Sequence, residues 1–576
     1  MFIKSNFESL PNELFIECFQ YLNASDIFRS FDQLNSRFHL LIRNCPLYVN
    51  FHEFKKLNFN EFCQVISSNP ELKQNIISLQ LSNDKTYGQI RLFLSLFSLN
   101  EFLNLRSLSL IGIQNYCCQQ LLHALPSLSN LHRLSCTPTR GVFPDMSPAL
   151  LQSNIRILTI PSVYLHSTFT DNIMMTVISL TIHRCSAFDL YKLLKYTTVL
   201  KYLKIEKLYD NQKNDIVPNN TKNAFHLKQF IVKYANVKFE SLKLILQCLP
   251  SLEIFSIYSQ DNIEMIDANR WQNLIEIYLP VLTVFKFCFG EFSVYSYEEK
   301  LIKITQFQSD FWHEKHQWYI DYKIDYFSLI VYTLPYIHND YTLTTADHGS
   351  DNSNQFDNLD EFDSSDRFDN VNELSIWTRM IRSDSSFYFR NVKTLRLTSG
   401  VEGEGETDEY ELQTYDLQFL DVIVNLSNIQ HLIIAEECYM SSSEVLLNIL
   451  EQLPVVSSLT IRRDQLISYL DNYQLCKWLN EKIKTLNISS GWNQSGIHNQ
   501  FGNENLFSKT FLNVEHLICD IETLDELLLI LSKCSKLSTL NIGNINEEIY
   551  TWIQRNASTL NIYINFWFFP KETDDN

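Results

Sequence analysis

One arrangement recurs along most of this chain and narrows its possible folds more than any other feature: an apolar residue followed by apolar residues three and five places on. It is seen in Leu105-Arg106-Ser107-Leu108-Ser109-Leu110, in Leu200-Lys201-Tyr202-Leu203-Lys204-Ile205, in Val392-Lys393-Thr394-Leu395-Arg396-Leu397 and in Leu537-Ser538-Thr539-Leu540-Asn541-Ile542. First anchors fall at Ile76, Leu105, Leu131, Ile155, Val177, Leu200, Leu227, Leu252 and Leu282, at intervals of 22 to 30 residues. They resume at Val392, Ile429, Val456, Ile483, Val514 and Leu537, at intervals of 23 to 37. The rhythm extends upstream, as in Leu246, Leu249, Leu252, Phe255 and Ile257, or Leu450, Leu453, Val456, Leu459 and Ile461. A three-residue step closes a helix face onto a core, and a two-residue step is a strand with alternate side chains inward. Each unit therefore predicts helix, short turn and strand. One unit buries too little to stand alone, so the units must stack into an α/β solenoid with a parallel sheet along its concave edge.

The spacing and pattern resemble leucine-rich repeats, whose period is about 20 to 29 residues. One departure is the Asn or Cys that the family places three residues after the strand: Asp84, Ile113, Gly400 and Glu437 stand there instead. A stacked Asn ladder is therefore not expected. The solenoid is predicted over 49–290 and 376–570, with a polar tail at 571–576. Between them, 291–338 is strongly aromatic (Phe307, Phe311, Trp312, Trp318, Tyr322, Tyr332) and predicts a hairpin whose rings fill a core. The acidic, Asp-Asn-Ser-rich stretch 339–375 reads as a disordered loop.

The first 48 residues have a different rhythm. Pro11 suits a first helical position, and Leu14, Phe15, Cys18, Phe19 and Leu22 share a helix face. Asp26 leads a second helix through Ile27, Phe28, Phe31 and Leu34, and Arg37 to Ile42 forms a third, ended by Pro46. Three such short helices cannot bury this apolar surface among themselves, so something must cover part of it. The run Leu10-Pro11-Asn12-Glu13-Leu14, then Phe19-Gln20-Tyr21-Leu22, Asp26-Ile27, Ser30-Phe31 and Leu34-Asn35-Ser36-Arg37-Phe38, resembles an F-box. Many members carry Trp where Phe38 stands, and an aromatic is kept. The resemblance implies docking on the Skp adaptor and, through it, on the cullin of an SCF ubiquitin ligase, with Leu10, Pro11, Leu14, Leu22 and Ile27 meeting the adaptor. The whole then reads as a short all-helical F-box followed by a leucine-rich repeat solenoid interrupted by an insert. The alternative is a ligase-independent scaffold or inhibitor in which the F-box-like helices cap the solenoid's open end.

In the ligase reading the solenoid binds a target protein. Outward strand positions are the candidates: Lys201, Tyr202, Lys204, Gln229, Lys393, Arg396, His431 and His516. Charge limits the partners. The formal net charge is -19, of which 340–370, with nine acids and one Arg, and 401–411, with six acids, hold the larger share. This repels phosphate backbones and anionic lipid, so neither nucleic acid nor membrane is expected. Thirteen scattered cysteines with no C-x-x-C pair suit buried thiols in a reducing compartment. With no apolar h-region in Met1 to Asn6, a cytoplasmic or nuclear address is expected. His313-Glu314-Lys315-His316 lacks the spacing of a zinc motif. No phosphate-binding or nucleophile-elbow motif occurs, so the expectation is no catalytic residue, no cofactor and no metal.

Overall fold

The computed structural model describes residues 8, 10–52, 56–83, 88–138, 154–162, 176–194, 197–211, 224, 226–292, 296–324, 328–344, 366–378, 381, 387–399, 411–413, 417–489, 510–543, 545–556, 560 and 562–567. The fold is mixed α/β, and the chain divides into two compact units, Met1–Gly290 and Glu291–Asn576.

The first unit opens with α1 (Asn12–Phe19), α2 (Ala24–Phe31) and α3 (Ser36–Ile42). Its strands are β1 (Leu47–Asn50), β2 (Ile76–Ser82), β3 (Ser107–Ile113), β4 (Arg133–Pro138), β5 (Ile157–Ser162), β6 (Ser179–Ser186), β7 (Tyr202–Tyr209), β8 (Gln229–Val232), β9 (Ala235–Asn236), β10 (Ile254–Ser259) and β11 (Val284–Phe292). They pair in parallel and in chain order, except that the short β9 pairs with the end of β7, leaving β10 beside β8. Helices such as Gln89–Leu96, Asn115–Ala124, Ala187–Leu194, Phe239–Leu246 and Ala268–Tyr278 connect successive strands. The helix Phe239–Leu246 buries Phe239, Leu242, Ile245 and Leu246, and Leu249 and Leu252 turn the chain into β10, which buries alternate residues. Register puts like side chains in line: Leu79, Leu108, Leu134 and Leu158 are neighbours on β2 to β5, and Leu180, Leu203, Phe230, Phe255 and Phe285 continue the row.

The second unit begins with the helix Tyr297–Thr305 and one turn of π-helix, Phe311–Lys315. An antiparallel hairpin of β12 (Ile320–Ile324) and β13 (Ser328–Thr333) follows. Phe307, Trp312, Trp318 and Tyr332 are buried here, with the Phe307 and Trp312 rings 5.0 Å apart, so these aromatics form a core. Next comes a parallel sheet of β14 (Asp340–Leu343), β15 (Glu373–Trp377), β16 (Thr394–Thr398), β18 (His431–Ile434), β20 (Ser458–Thr460), β21 (Thr485–Asn487), β22 (His516–Asp520), β23 (Thr539–Gly543) and β24 (Tyr563–Trp567). The short strands β17 (Glu411–Leu412) and β19 (Tyr439–Met440) pair apart from it.

All fifteen anchors named from the sequence are buried, none more than 6% exposed. Three expectations need correction. The stretch 339–375 is not a disordered loop throughout: β14 and β15 stand in the parallel ladder at its two ends, with Tyr341, Leu343, Leu374 and Ile376 inward, while 345–365 lies outside the described residues. Val371, Leu374 and Ile376 form a further anchor triplet, fully or almost fully buried. The first unit's sheet likewise starts before Ile76, at β1.

The third correction concerns the Asn ladder. Asp84 and Gly400 lie outside the described residues, and Ile113 is simply buried. A ladder nevertheless exists at the other end of the strands, where Asn immediately precedes the anchor. The Asn104 side-chain amide donates to the Gln74 carbonyl at 2.9 Å, Asn130 to Leu103 at 3.0 Å and Asn154 to Ser129 at 3.3 Å. In the second unit Asn370 reaches Tyr336 at 2.8 Å, Asn391 reaches Asp369 at 2.9 Å, Asn428 reaches Arg390 at 3.0 Å and Asn513 reaches Asn480 at 2.7 Å. Each bond ties the turn of one unit to a carbonyl of the unit before it, where no strand pairing can do so.

Among the described residues no cysteine forms a disulfide, and eleven of the thirteen are buried. Burial pushes the thiols up: Cys45 to about 11, Cys63 to about 12 and Cys438 to about 12. No helix among the described residues is long and apolar enough to cross a membrane.

Candidate protein-binding surfaces

The three N-terminal helices are short, eight residues or fewer, and each spends one side on an aromatic core. Phe15 and Phe38 meet edge to face at 4.9 Å, Phe31 lies 5.3 Å from Phe19 and 5.4 Å from Phe38, and Phe28 meets Phe62 at 5.6 Å. Such ring pairs add about 0.5–1.5 kcal/mol each beyond the area they bury. Phe38 is the centre of this cluster and is fully buried.

Some aliphatic side chains of the same segment face water, while Ile27, Leu41 and Ile42 join the rings inside. Leu10 is 37% exposed, Leu14 44% and Leu22 40%, and Pro11 is exposed beside them. Tyr21, Leu34 and Leu40 are exposed as well, so among the described residues six of the 24 exposed large apolar side chains fall within residues 10–40. Ile27 departs from the sequence expectation. It is fully buried, because α2 has one inward face and Ala24, Ile27 and Phe28 fill it. It supports the hook from within and has no surface for an adaptor.

The segment bearing Leu10 and Pro11 is held by a residue that periodicity did not single out. Arg37 donates from Nε to Asn12 Oδ1 at 2.8 Å, from Nη1 to the Glu8 carbonyl and from Nη2 to the Leu10 carbonyl. Its guanidinium lies 5.5 Å from the Phe15 ring centre. A planar fork with three aligned donors suits this task where a Lys would not. On its inner side the hook is fastened to the sheet: Asn23 Oδ1 accepts from the Asn50 amide at 3.3 Å and its Nδ2 donates to the Asn50 carbonyl, while Asn75 Nδ2 donates to the Arg43 carbonyl.

The candidate target-binding residues fall into separate sets. Lys201 is exposed just before β7, Tyr202 opens β7 beside Gln229 of β8, and Lys204 pairs with Glu206 at 2.5 Å. In the second unit Lys393 and Arg396 are exposed at β16, and His431 neighbours Thr394 on β18. His516 stands three strands further on, at the start of β22 between Thr485 and Thr539. None of these groups converges into a catalytic constellation. His316 stacks on Trp318 with centroids 4.1 Å apart, and His313 packs edge-on against Tyr319. No three His, Cys, Asp or Glu side chains among the described residues are placed to hold a metal ion. Compared with models of known protein families and with curated proteins, the chain matches none.

Proposed function

We propose that the chain is a substrate-recognition adaptor of an SCF ubiquitin ligase, in which an F-box docks on the Skp adaptor and a leucine-rich repeat solenoid binds a target protein. The observation that carries this reading is the outer face of the hook: Leu10, Pro11, Leu14 and Leu22 stand exposed, and Arg37 holds the stretch that bears Leu10 and Pro11. An exposed aliphatic cluster on rigid short helices needs a partner to cover it. The chain contributes positioning, raising the target's effective concentration near the ubiquitin-loaded enzyme in the cytoplasm or nucleus, and supplies no nucleophile.

A second reading, a ligase-independent scaffold capped by the same helices, is favoured by the bonds between Asn23 and Asn50 and by the burial of Ile27. The two roles use opposite sides of the hook, so capping by the inner side leaves the outer side to be explained. Capture by immobilised Skp adaptor separates the readings. Wild type binds; a Leu10→Asp, Pro11→Ala, Leu14→Asp variant with an unchanged circular dichroism spectrum does not. Folded wild type that the adaptor fails to capture removes the ligase reading and leaves the scaffold.

A further inference from the structure

The charge of this chain is divided between its units. Residues 1–290 carry 27 Lys and Arg against 22 Asp and Glu, whereas 291–576 carry 20 against 44. In the basic half some cations fall on one line. The residue preceding each strand is joined to the next by a backbone hydrogen bond: His132 N to Arg106 O at 2.9 Å, Arg156 N to His132 O at 2.8 Å, Ile178 N to Arg156 O at 2.8 Å, Lys201 N to Ile178 O at 2.9 Å and Lys228 N to Lys201 O at 2.9 Å. Arg106, His132, Arg156, Ile178, Lys201 and Lys228 thus form a row across the entries of β3 to β8, and all are exposed. Arg133, the first residue of β4, adds a further exposed cation beside it.

No acid occupies any position of β3, β4, β5 or β6, and Arg106, Arg133, Arg156 and Lys201 make no ion pair among the described residues. Only Lys228, at the far end, is matched, by Glu253. Two apolar side chains, Ile157 and Ile178, each 36% exposed, stand within the row. Strands lie about 4.8 Å apart, so five steps span about 24 Å, the reach of roughly seven residues of extended peptide.

We propose that this row is the docking surface for an acidic segment of a target protein, its carboxylates meeting Arg106, Arg133, Arg156 and Lys201 and an apolar side chain resting between Ile157 and Ile178. The proposal rests on the target-binding role of the repeats and supplies its chemistry. A short acidic peptide fits better than a nucleic acid. The row spans about 24 Å, a length that a short acidic peptide covers end to end. Isolated Ile side chains, unlike aromatic rings, offer bases no stacking platform.

The test uses the full chain with Skp adaptor present. A fluorescein-labelled peptide of repeated Glu-Asp-Leu is titrated by anisotropy, with the Gln-Asn-Leu counterpart and an oligothymidylate of equal length as comparisons. The acidic peptide should bind at least about tenfold more tightly than either, and weaken between about 50 and 300 mM salt. An Arg133→Glu, Arg156→Glu, Lys201→Glu variant should lose about tenfold or more, and Lys477→Glu, Lys533→Glu, exposed in the other unit, should lose nothing. Equal binding of the acidic and amide peptides, tighter binding of the oligothymidylate, or full affinity in the triple variant overturns the inference. Adaptor capture of the triple variant is read separately. If capture persists while the acidic peptide fails on wild type, the row is wrong and the ligase reading stands; if the peptide binds and capture fails, the converse holds.

Discussion

Arg37 provides the sharpest test of how the hook presents its apolar face. Its three donors reach Asn12 Oδ1 and the carbonyls of Glu8 and Leu10, so one side chain fixes the backbone on both sides of Leu10. At a half-exposed site each bond is worth about 0.5–1 kcal/mol, and water replaces part of it when the Arg is removed, which leaves a net loss of about 1–2 kcal/mol. That loss falls on a segment that must be ordered for docking, and the affinity for Skp adaptor should drop by about 5- to 30-fold. Arg37→Lys keeps the charge but aims a single ammonium at three divergent acceptors, so it should recover less than half of the loss. Paired with Asn12→Ala, the cycle should give a coupling of about 0.5–1 kcal/mol. Titration calorimetry reads the affinity, and hydrogen exchange at residues 10–14 reads the ordering whether or not adaptor is present. The aromatic core lies behind this segment, so far-UV circular dichroism should not change. Wild-type affinity and wild-type exchange in both Arg37→Ala and Arg37→Lys would refute the reasoning.

Three further outcomes follow from the repeats. Leu108 is fully buried between Leu79 and Leu134, so Leu108→Ala should destabilise the first unit by about 2–5 kcal/mol, with exchange protection lost first in β2 to β4 and kept in the second unit; a uniform loss through both units would contradict nearest-neighbour stacking. Asn130→Ala removes the bond to the Leu103 carbonyl and should lower the urea midpoint by the equivalent of about 1 kcal/mol, whereas Asn100→Ala, outside the ladder of pre-anchor Asn side chains, serves as the comparison and should change it less. The buried thiols stay neutral in the fold at pH values where the unfolded chain ionises. With Cys45 raised to about 11 and Cys63 and Cys438 to about 12, their stabilisation is full below about pH 8.5 and fades as pH climbs through 11 to 12. Urea midpoints should therefore fall from pH 8 upward, and a flat profile to pH 10.5 in a Cys-intact chain would show that these thiols do not remain buried.

The repeating core was legible because burial needs only hydrophobic side chains at fixed offsets, and all fifteen anchors chosen that way are inside. What was missed has physical reasons. Val371, Leu374 and Ile376 sit beside an acidic stretch, and composition averaged over that window reads as solvated. A strand needs only alternate residues, and Glu373 on β15 faces water while its neighbours face in. The Asn ladder was sought after the strands and lies before the anchors, a position visible in the sequence as Asn104-Leu105, Asn130-Leu131, Asn154-Ile155, Asn391-Val392 and Asn428-Ile429. Ile27 was misplaced for a different reason. In the hook both sides of a helix are apolar, with Leu14 outside and Phe15 inside, so periodicity alone cannot assign a face. The inner faces hold rings and aliphatics together, Ile27 beside Phe28 on α2 and Leu41 and Ile42 beside Phe38 on α3, so residue type does not assign the side either.

The same backbone register explains why whole-chain charge misleads about the surface. Anchor spacing varies from 22 to 30 residues in the first unit, yet the carbonyl of Arg106 still receives His132, and that of Lys201 still receives Lys228. The rungs keep their register whatever the anchor spacing, and residues far apart in sequence come into line across neighbouring strands. A sum over the chain gives -19, but the rung positions collect Arg106, Arg156, Lys201 and Lys228 on one edge. Electrostatic attraction acts through distances in the fold: at about 4.8 Å per rung Lys201 and Lys228 stand within a Debye length of about 8 Å, and Arg106, Arg156 and Lys201 stand two rungs, about 9.6 Å, apart. The charge that an edge of the sheet presents is set by which residues join its row, and that becomes readable once the hydrogen-bonded register is known.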